Sequence, residues 1–142
     1  MKVFKGSIVA LSFIFLLAGC SNYGKEYKLD KKHNVYYKGD GVDEATAKKL
    51  ANYLKEQSYF QDDITASVQL VKTKDTFDVN FVVDPSKIDS EKEKGFVTFG
   101  GYISKNVFDG APVVINLTND KLETIKNVGY CPPVALEAAP AQ

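Results

Sequence analysis

The residue types most often used in catalysis are few in this chain. His33 is the only histidine, and Cys20 and Cys131 are the only cysteines. Nucleophilic catalysis needs a nucleophile, a base and usually a group that orients the base. His33 follows a polar, lysine-rich stretch, and we expect its side chain to be exposed and without a catalytic role. The sequence therefore predicts that the protein is not an enzyme.

Groups that could bind ions are also sparse. Zinc sites need clustered cysteine and histidine, which this chain does not contain. Asp62-Asp63 and Asp40-Gly41-Val42-Asp43 supply carboxylates, but neither has the spacing of a calcium loop. Gly39-Asp40-Gly41 is not followed by the Lys-Ser/Thr pair of a phosphate-binding loop. We expect solvated turns at these positions, and neither a metal nor a cofactor.

Cys131 allows three interpretations. It can be a thiol without a role, or it can form a disulfide with a second chain or a partner protein. It can also be a catalytic thiol, although Pro132-Pro133 and the lack of a nearby base give no reason for a lowered pKa.

Length and composition exclude further classes of protein. The chain has 142 residues, which is about one domain. All 18 of its basic residues are lysines, and they are matched by 18 acidic residues. Nucleic-acid-binding proteins usually have a basic excess and arginines that read base edges. Two cysteines are too few for the disulfide framework of a small secreted domain.

The first twenty residues have the pattern of a bacterial export signal. Lys2 and Lys5 precede an apolar stretch from Ile8 to Ala18, which is too short to span a bilayer core of about 30 Å. The stretch ends in Leu17-Ala18-Gly19-Cys20, which resembles the lipobox of bacterial lipoproteins. An ordinary secretory signal with a chance cysteine, or an uncleaved membrane anchor, remains the alternative.

The resemblance to lipoproteins implies a modification and a location. A diacylglyceryl group would be attached to the Cys20 thiol, and a signal peptidase that recognises Leu17, Ala18 and Gly19 would cut before Cys20. The new amino group would then be acylated, for example with palmitate. Two or more acyl chains hold a protein lastingly at a membrane. Because Ser21 follows Cys20, the resemblance implies the outer membrane if the host has one, and otherwise the outer face of its single membrane.

The sequence divides into four parts by composition. We expect a signal peptide at residues 1–19, and a lipidated cysteine with a polar tether at 20–33. A small α/β domain follows at 34–129, and a flexible tail rich in Pro and Ala at 130–142.

Hydrophobic periodicity predicts the elements of the domain. Apolar residues at i, i+3, i+4 and i+7 after Asp43 indicate one helix, and a second is expected after Ser86 or Asp89. Alternation from Phe77 to Val83 indicates a central strand. The order is β-α-β-β-α-β, with an extra edge strand at 122–128, so the fold class is α+β. We expect a ferredoxin-like sandwich with an antiparallel sheet and both helices on one face.

A second resemblance concerns this domain. The stretches Val35–Phe60 and Ile103–Leu117 resemble a small α/β domain of bacterial envelope proteins. That resemblance supports the fold class and implies no chemistry.

Binding is the function that these observations favour. Tyrosines are enriched at protein interfaces, and Tyr36, Tyr37 and Tyr59 are expected beside the first helix. We therefore predict a lipid-anchored envelope protein that binds another envelope protein or a component of a host-cell surface. The alternative is a lipoprotein that binds a small ligand on the open face of the sheet. The residues expected to point from that face are Asp78, Asn80 and Asn116.

Overall fold

The computed structural model describes residues 23–133, which form six strands and two α-helices. The helices are α1 (Glu44–Glu56) and α2 (Ser90–Val107), and a short 3-10 helix (Pro85–Lys87) precedes α2. The strands are β1 (Lys25–Lys28), β2 (His33–Lys38), β3 (Ala66–Thr73), β4 (Thr76–Val82), β5 (Val113–Thr118) and β6 (Thr124–Cys131). The expected signal peptide with Leu17–Cys20, and the end of the expected tail at 134–142, lie outside the described residues.

Local sequence signals set the start of both helices. Asp43 precedes α1 and accepts a hydrogen bond from the backbone N–H of Thr46 at 2.9 Å. Asp89 does the same for α2, with the N–H of Lys92 at 2.9 Å. Side-chain oxygens at this position satisfy N–H groups that have no partner within the helix. Both helices are therefore confirmed, and Asp89 rather than Ser86 is the cap of α2.

The apolar faces of the helices are buried as their spacing predicts. In α1 the buried residues are Ala47, Leu50, Ala51 and Leu54. In α2 they include Ile103 and Val107 together with Gly100 and Gly101, while Phe96 and Phe99 are only partly buried. Gly100 lies directly over Cys131 of β6, so α2 approaches the sheet closely at this point.

The six strands form one mixed sheet in the order β1-β2-β3-β4-β5-β6. Pairs β2/β3 and β4/β5 are parallel, and the other three pairs are antiparallel. The expectation of an antiparallel sheet is therefore wrong for two pairs, because a helix connects each of them and returns the chain to the same end. The fold is α+β with two helices on one face, and a ferredoxin-like arrangement is not confirmed.

The two helical crossovers have opposite hands. Strands β2 and β3 run against β4 and β5, yet both crossovers step in the same direction across the sheet. The helices contact each other through Tyr53 and Phe99 and share one core. The two strand–helix–strand units run in opposite directions, yet both move to the next strand on the same side and place their helix on the same face. One crossover must therefore be right-handed and the other left-handed. Right-handed crossovers are the strong rule, and one of these two departs from it.

The sheet has one covered face and one open face. Side chains alternate between the faces along each strand, and residues paired across strands share a face. Val35, Val68, Phe81 and Leu117 form one such row under the helices, and all four are fully buried. Neither α1 nor α2 packs against the opposite face, which we call the open face.

Both ends of the domain extend beyond the expected boundaries. Lys25–Lys28 of the expected tether form β1, which pairs with β2, and Tyr27 packs against the core. The extra edge strand is confirmed as β6, and it continues to Cys131 in the expected tail. These segments belong to the sheet because pairing satisfies their backbone groups. Among residues 23–133, no helix has both the length and the apolar character needed to cross a membrane.

Candidate functional site on the open sheet face

A row of four carboxamide side chains crosses the open face. Gln69, Asn80, Asn116 and Asn127 occupy paired positions on β3, β4, β5 and β6. Asn127 donates to Asn116 at 2.8 Å, Asn116 donates to Asn80 at 2.9 Å, and Asn80 donates to Gln69 at 2.8 Å. We call these four residues the amide row.

The amide row has a direction and two different ends. At the β3 end, the Gln69 amide N–H donates to the backbone carbonyl of Tyr23 at 3.1 Å. Gln69 and Asn80 are only 5% and 8% exposed, whereas Asn127 is exposed. A carboxamide has two donors and two acceptor lone pairs, so the internal bonds use only part of the capacity of the row. The accessible end for a binding partner is therefore on β5 and β6.

Asp78 lies next to the amide row on β4. It is paired with Val71 on one side and Val114 on the other, so its carboxylate is flanked by apolar side chains. Burial raises the pKa of the Asp78 carboxyl above its ordinary value. No hydrogen bond or ion pair joins this carboxylate to any side chain or backbone group of residues 23–133.

Tyrosines lie toward both ends of the open face. Tyr130 is paired with Val114 and is 56% exposed. At the other side of the sheet, Tyr23 contacts Tyr36 edge to face, with 5.3 Å between ring centroids. The β6 side of the face is therefore the more accessible side.

Comparison with known proteins identifies the family to which the chain belongs. The AF_1994_N model, described as a family N-terminal domain, matches residues 27–130. This chain belongs to the AF_1994_N family. The match runs from β1 to β6, so the AF_1994_N domain contains both helices and the amide row. No curated protein matches the chain significantly, and no solved structure does.

The structure brings together the residues expected on the open face. Asp78, Asn80 and Asn116 lie side by side on β4 and β5 of the AF_1994_N domain. Sequence reasoning missed Gln69 and Asn127, although Gln69 alternates with the buried Val68 and Leu70. That alternation gives its face, but its alignment with Asn80 depends on strand register, which the sequence pattern does not specify.

The three tyrosines expected to form an interface do not form one patch. Tyr37 is a core residue with 8% exposure, and Tyr36 lies on the open face. Tyr59 lies on the covered face, where its ring contacts Phe81 with 4.9 Å between centroids. Tyr36 and Tyr37 are consecutive in a strand, and consecutive side chains point to opposite faces. The expectation of a joint patch is therefore wrong.

His33 is buried rather than exposed, which corrects the expectation for this residue. Its Nδ1 lies 2.9 Å from Asp30 Oδ2, and its Nε2 lies 2.8 Å from the carbonyl oxygen of Gln61 and 2.7 Å from that of Ile64. The ring stacks on Phe60 at 4.8 Å between centroids. His33 therefore holds the β1–β2 turn against the segment before β3.

Cys131, the last residue of β6, is a buried thiol. It is fully buried beside Gly100, and burial raises its pKa to about 11. A thiolate is the reactive form, and disulfide formation needs access to a second sulfur. Of the three interpretations, this environment fits a thiol without a chemical role.

The described residues contain no assembled metal site. Within residues 23–133, no three His, Cys, Asp or Glu side chains lie close enough together to hold a metal ion. Asp43 is a helix cap, and Asp62 is linked to Lys32 through its backbone carbonyl at 2.7 Å. Among the polar side chains described here, the amide row and Asp78 therefore form the strongest candidate for a binding site.

Proposed function

We propose that this protein is a lipid-anchored protein of the bacterial cell envelope whose AF_1994_N domain binds a partner protein through the open face. The pattern Leu17-Ala18-Gly19-Cys20 supports the anchor. The observation that carries the binding function is the amide row, which lies on the sheet face opposite to α1 and α2.

The shape of the open face favours a protein over a small molecule. Small ligands are usually bound in concave pockets that enclose most of their surface. The amide row instead crosses four strands, a span of about 14 Å at the usual strand spacing. Val71, Val82 and Val114 are partly buried on the same face. This mixture of aliphatic side chains and spare hydrogen-bonding groups is typical of protein interfaces.

The anchor and the open face would act together. Acyl chains on Cys20 would hold the domain at the membrane surface, where collision with envelope proteins is frequent. The protein is then an accessory or assembly module, and its role is set by the partner that it retains. A small ligand on the same face is the alternative that the experiment below separates.

Site-specific photo-crosslinking in intact cells tests the proposal. Tyr130 on the open face is replaced by p-benzoylphenylalanine, an aromatic residue of similar shape. Tyr102 on α2 is the matched control, because it is also an exposed tyrosine, at 43% against 56%, but lies on a helix of the covered face. We expect one dominant protein adduct from position 130 and not from position 102.

Two crosslinking results would contradict the proposal. Adducts of equal yield from both positions would show that contact is not confined to the open face. A lack of protein adducts at position 130 would contradict protein binding there. A rise of the melting temperature with an envelope metabolite would then favour the small-ligand alternative.

A further inference from the structure

Asp78 differs from the other acidic side chains whose contacts are described. Asp30 is paired with His33, Asp43 and Asp84 cap helical segments, and Glu93 forms an ion pair with Lys126 at 3.1 Å. Asp78 has none of these partners and sits between two valines in the middle of the sheet. A partly buried carboxylate without a partner is unfavourable in the free protein, and a bound cation would offset that cost.

We propose that Asp78 is the recognition point for a cationic side chain, lysine or arginine, of the partner that binds the open face. The inference rests on the proposed function and adds the chemistry of the partner.

The surroundings of Asp78 are complementary to such a side chain. Lysine and arginine have aliphatic stems that pack on apolar surface while their charged ends reach a polar group. Val71 and Val114 provide that surface on either side of the carboxylate. The ring of Tyr130, one strand beyond Val114, is a surface on which a guanidinium can stack.

The electrostatic environment favours an incoming cation over water. Burial raises the pKa of Asp78, which means that the charged form has already lost hydration in the free protein. A cation from the partner would offset part of this lost hydration energy by pairing with the carboxylate. Binding at Asp78 would also remove less water from the carboxylate than binding at an exposed carboxylate. Charge pairs of this kind contribute strongly to the specificity of an interface.

A titration with small probes tests the carboxylate itself. The full chain, labelled with ¹³C at aspartate carboxyls and held in a nonionic detergent, is titrated with N-acetyl-arginine N-methylamide. The neutral control is N-acetyl-citrulline N-methylamide, which has nearly the same shape. We expect the arginine probe to lower the pKa of Asp78 and to bind about tenfold more tightly there than at Asp75, an exposed residue of the β3–β4 turn. Equal responses at Asp78 and Asp75, or equal effects of the two probes, would overturn the proposal.

A second experiment connects the carboxylate to the partner. Asp78→Asn keeps the shape of the side chain and removes its charge, and Asp75→Asn is the matched control. We expect Asp78→Asn to reduce the adduct from position 130 about tenfold, and Asp75→Asn to leave it unchanged. An adduct that persists in Asp78→Asn would overturn the role of Asp78 while the proposed function stands. If the parent protein gives no adduct, the proposed function fails, and the titration alone decides whether Asp78 selects cations.

Discussion

At the scale of single residues, the surroundings of His33 favour the positively charged form of its ring. Both ring nitrogens face acceptors: a carboxylate oxygen of Asp30 on one side and two backbone carbonyls on the other. Only the doubly protonated ring can donate in both directions. Burial by itself lowers the pKa of His33, but the hydrogen bonds to Asp30, Ile64 and Gln61 outweigh it, and the pKa is raised.

The raised pKa of His33 predicts a pH dependence of stability. The stabilisation is complete below the unfolded-state pKa of about 6.5 and is lost as pH rises through the folded-state pKa. The lowered pKa of Asp30 acts in the opposite direction: its contribution is present above about pH 3.9 and is lost as pH falls. We therefore expect the free energy of unfolding to be greatest between these values. Urea denaturation of the full chain across pH 4 to 8 measures it.

A substitution identifies the residue responsible. His33→Gln should lower the free energy of unfolding by about 1–3 kcal/mol at pH 6, because buried acceptors lose their donors. It should also remove the decline that begins above about pH 6.5. The measured range ends at pH 8, below the pH at which Cys131 titrates. Lys31→Gln, in the exposed turn, is the control. A decline that persists in His33→Gln would contradict the assignment.

Residue-level prediction from sequence succeeds where the partners are local. Asp43 and Asp89 cap helices through N–H groups three residues away, so their spacing is sufficient evidence. The carbonyls that hold His33 come from Gln61 and Ile64, about thirty residues along the chain. No pattern in the sequence indicates that contact, which is why the expectation of an exposed histidine is wrong.

At the scale of elements, the approach of α2 to the sheet depends on Gly100. A Cβ atom at this position would lie 2.6 Å from Cys131 Cβ and 3.0 Å from Ile115 Cγ1. Alanine normally stabilises a helix interior relative to glycine by up to about 1 kcal/mol. Overpacking of a filled core costs about 1–3 kcal/mol, so Gly100→Ala should destabilise the protein in thermal or urea denaturation.

The same helix offers the control. A Cβ atom at Gly95 would meet no neighbouring group within 4 Å, so Gly95→Ala should stabilise the protein by up to about 1 kcal/mol. In a Cys131→Ala background, Gly100→Ala should cost less, because the contacted sulfur is gone. Equal effects of Gly95→Ala and Gly100→Ala would contradict the close approach.

In the amide row, the effect of a substitution on stability should depend on whether the residue is inside the row or at its exposed end. Asn80→Ala leaves acceptor and donor groups of Gln69 and Asn116 without partners where Gln69 is 5% exposed. We expect a loss of about 1–3 kcal/mol in the free energy of unfolding. Asn127→Ala, at the exposed end of the row, should cost less than about 1 kcal/mol. If the two variants are equally stable, the row does not act as a connected network.

The elements themselves are predictable from the sequence, but their pairing is not. The helices and the strands from β2 to β5 follow from hydrophobic periods of 3.6 and 2 residues. Sequence reasoning misses β1 because its four residues, Lys25–Lys28, are mostly charged and exposed. The alignment of Gln69 with Asn127 across the sheet depends on three successive registers, one of which contains irregularities between β5 and β6.

At the scale of the whole molecule, attachment through Cys20 is the prediction that governs where the domain acts. Cys20→Ser should abolish incorporation of labelled palmitate and leave the chain at its precursor size on a denaturing gel, since both steps need the thiol. Cys131→Ser is the matched control and should retain labelling and processing. A Cys20→Ser variant of mature size that still enters the detergent phase would contradict lipid attachment.

The architecture of the whole sheet is only partly predictable. The order of helices and strands, and the placement of both helices on one face, follow from the sequence pattern. The spatial order of strands does not, because right-handed crossovers favour an interleaved arrangement for this element order. The observed sheet keeps chain order and contains crossovers of both hands.

Chain order in the sheet has a consequence for how the protein is made. Each strand from β2 to β6 pairs with the strand that precedes it in the sequence, so a chain released N-terminus first meets a template for each of these strands as it emerges. No strand has to be inserted between two that are already paired, as the interleaved order would require. Short separations between paired segments also speed folding. The domain is thus suited to assembly during delivery, whether from the ribosome or from an export channel, with β6 and the outer part of the amide row added last.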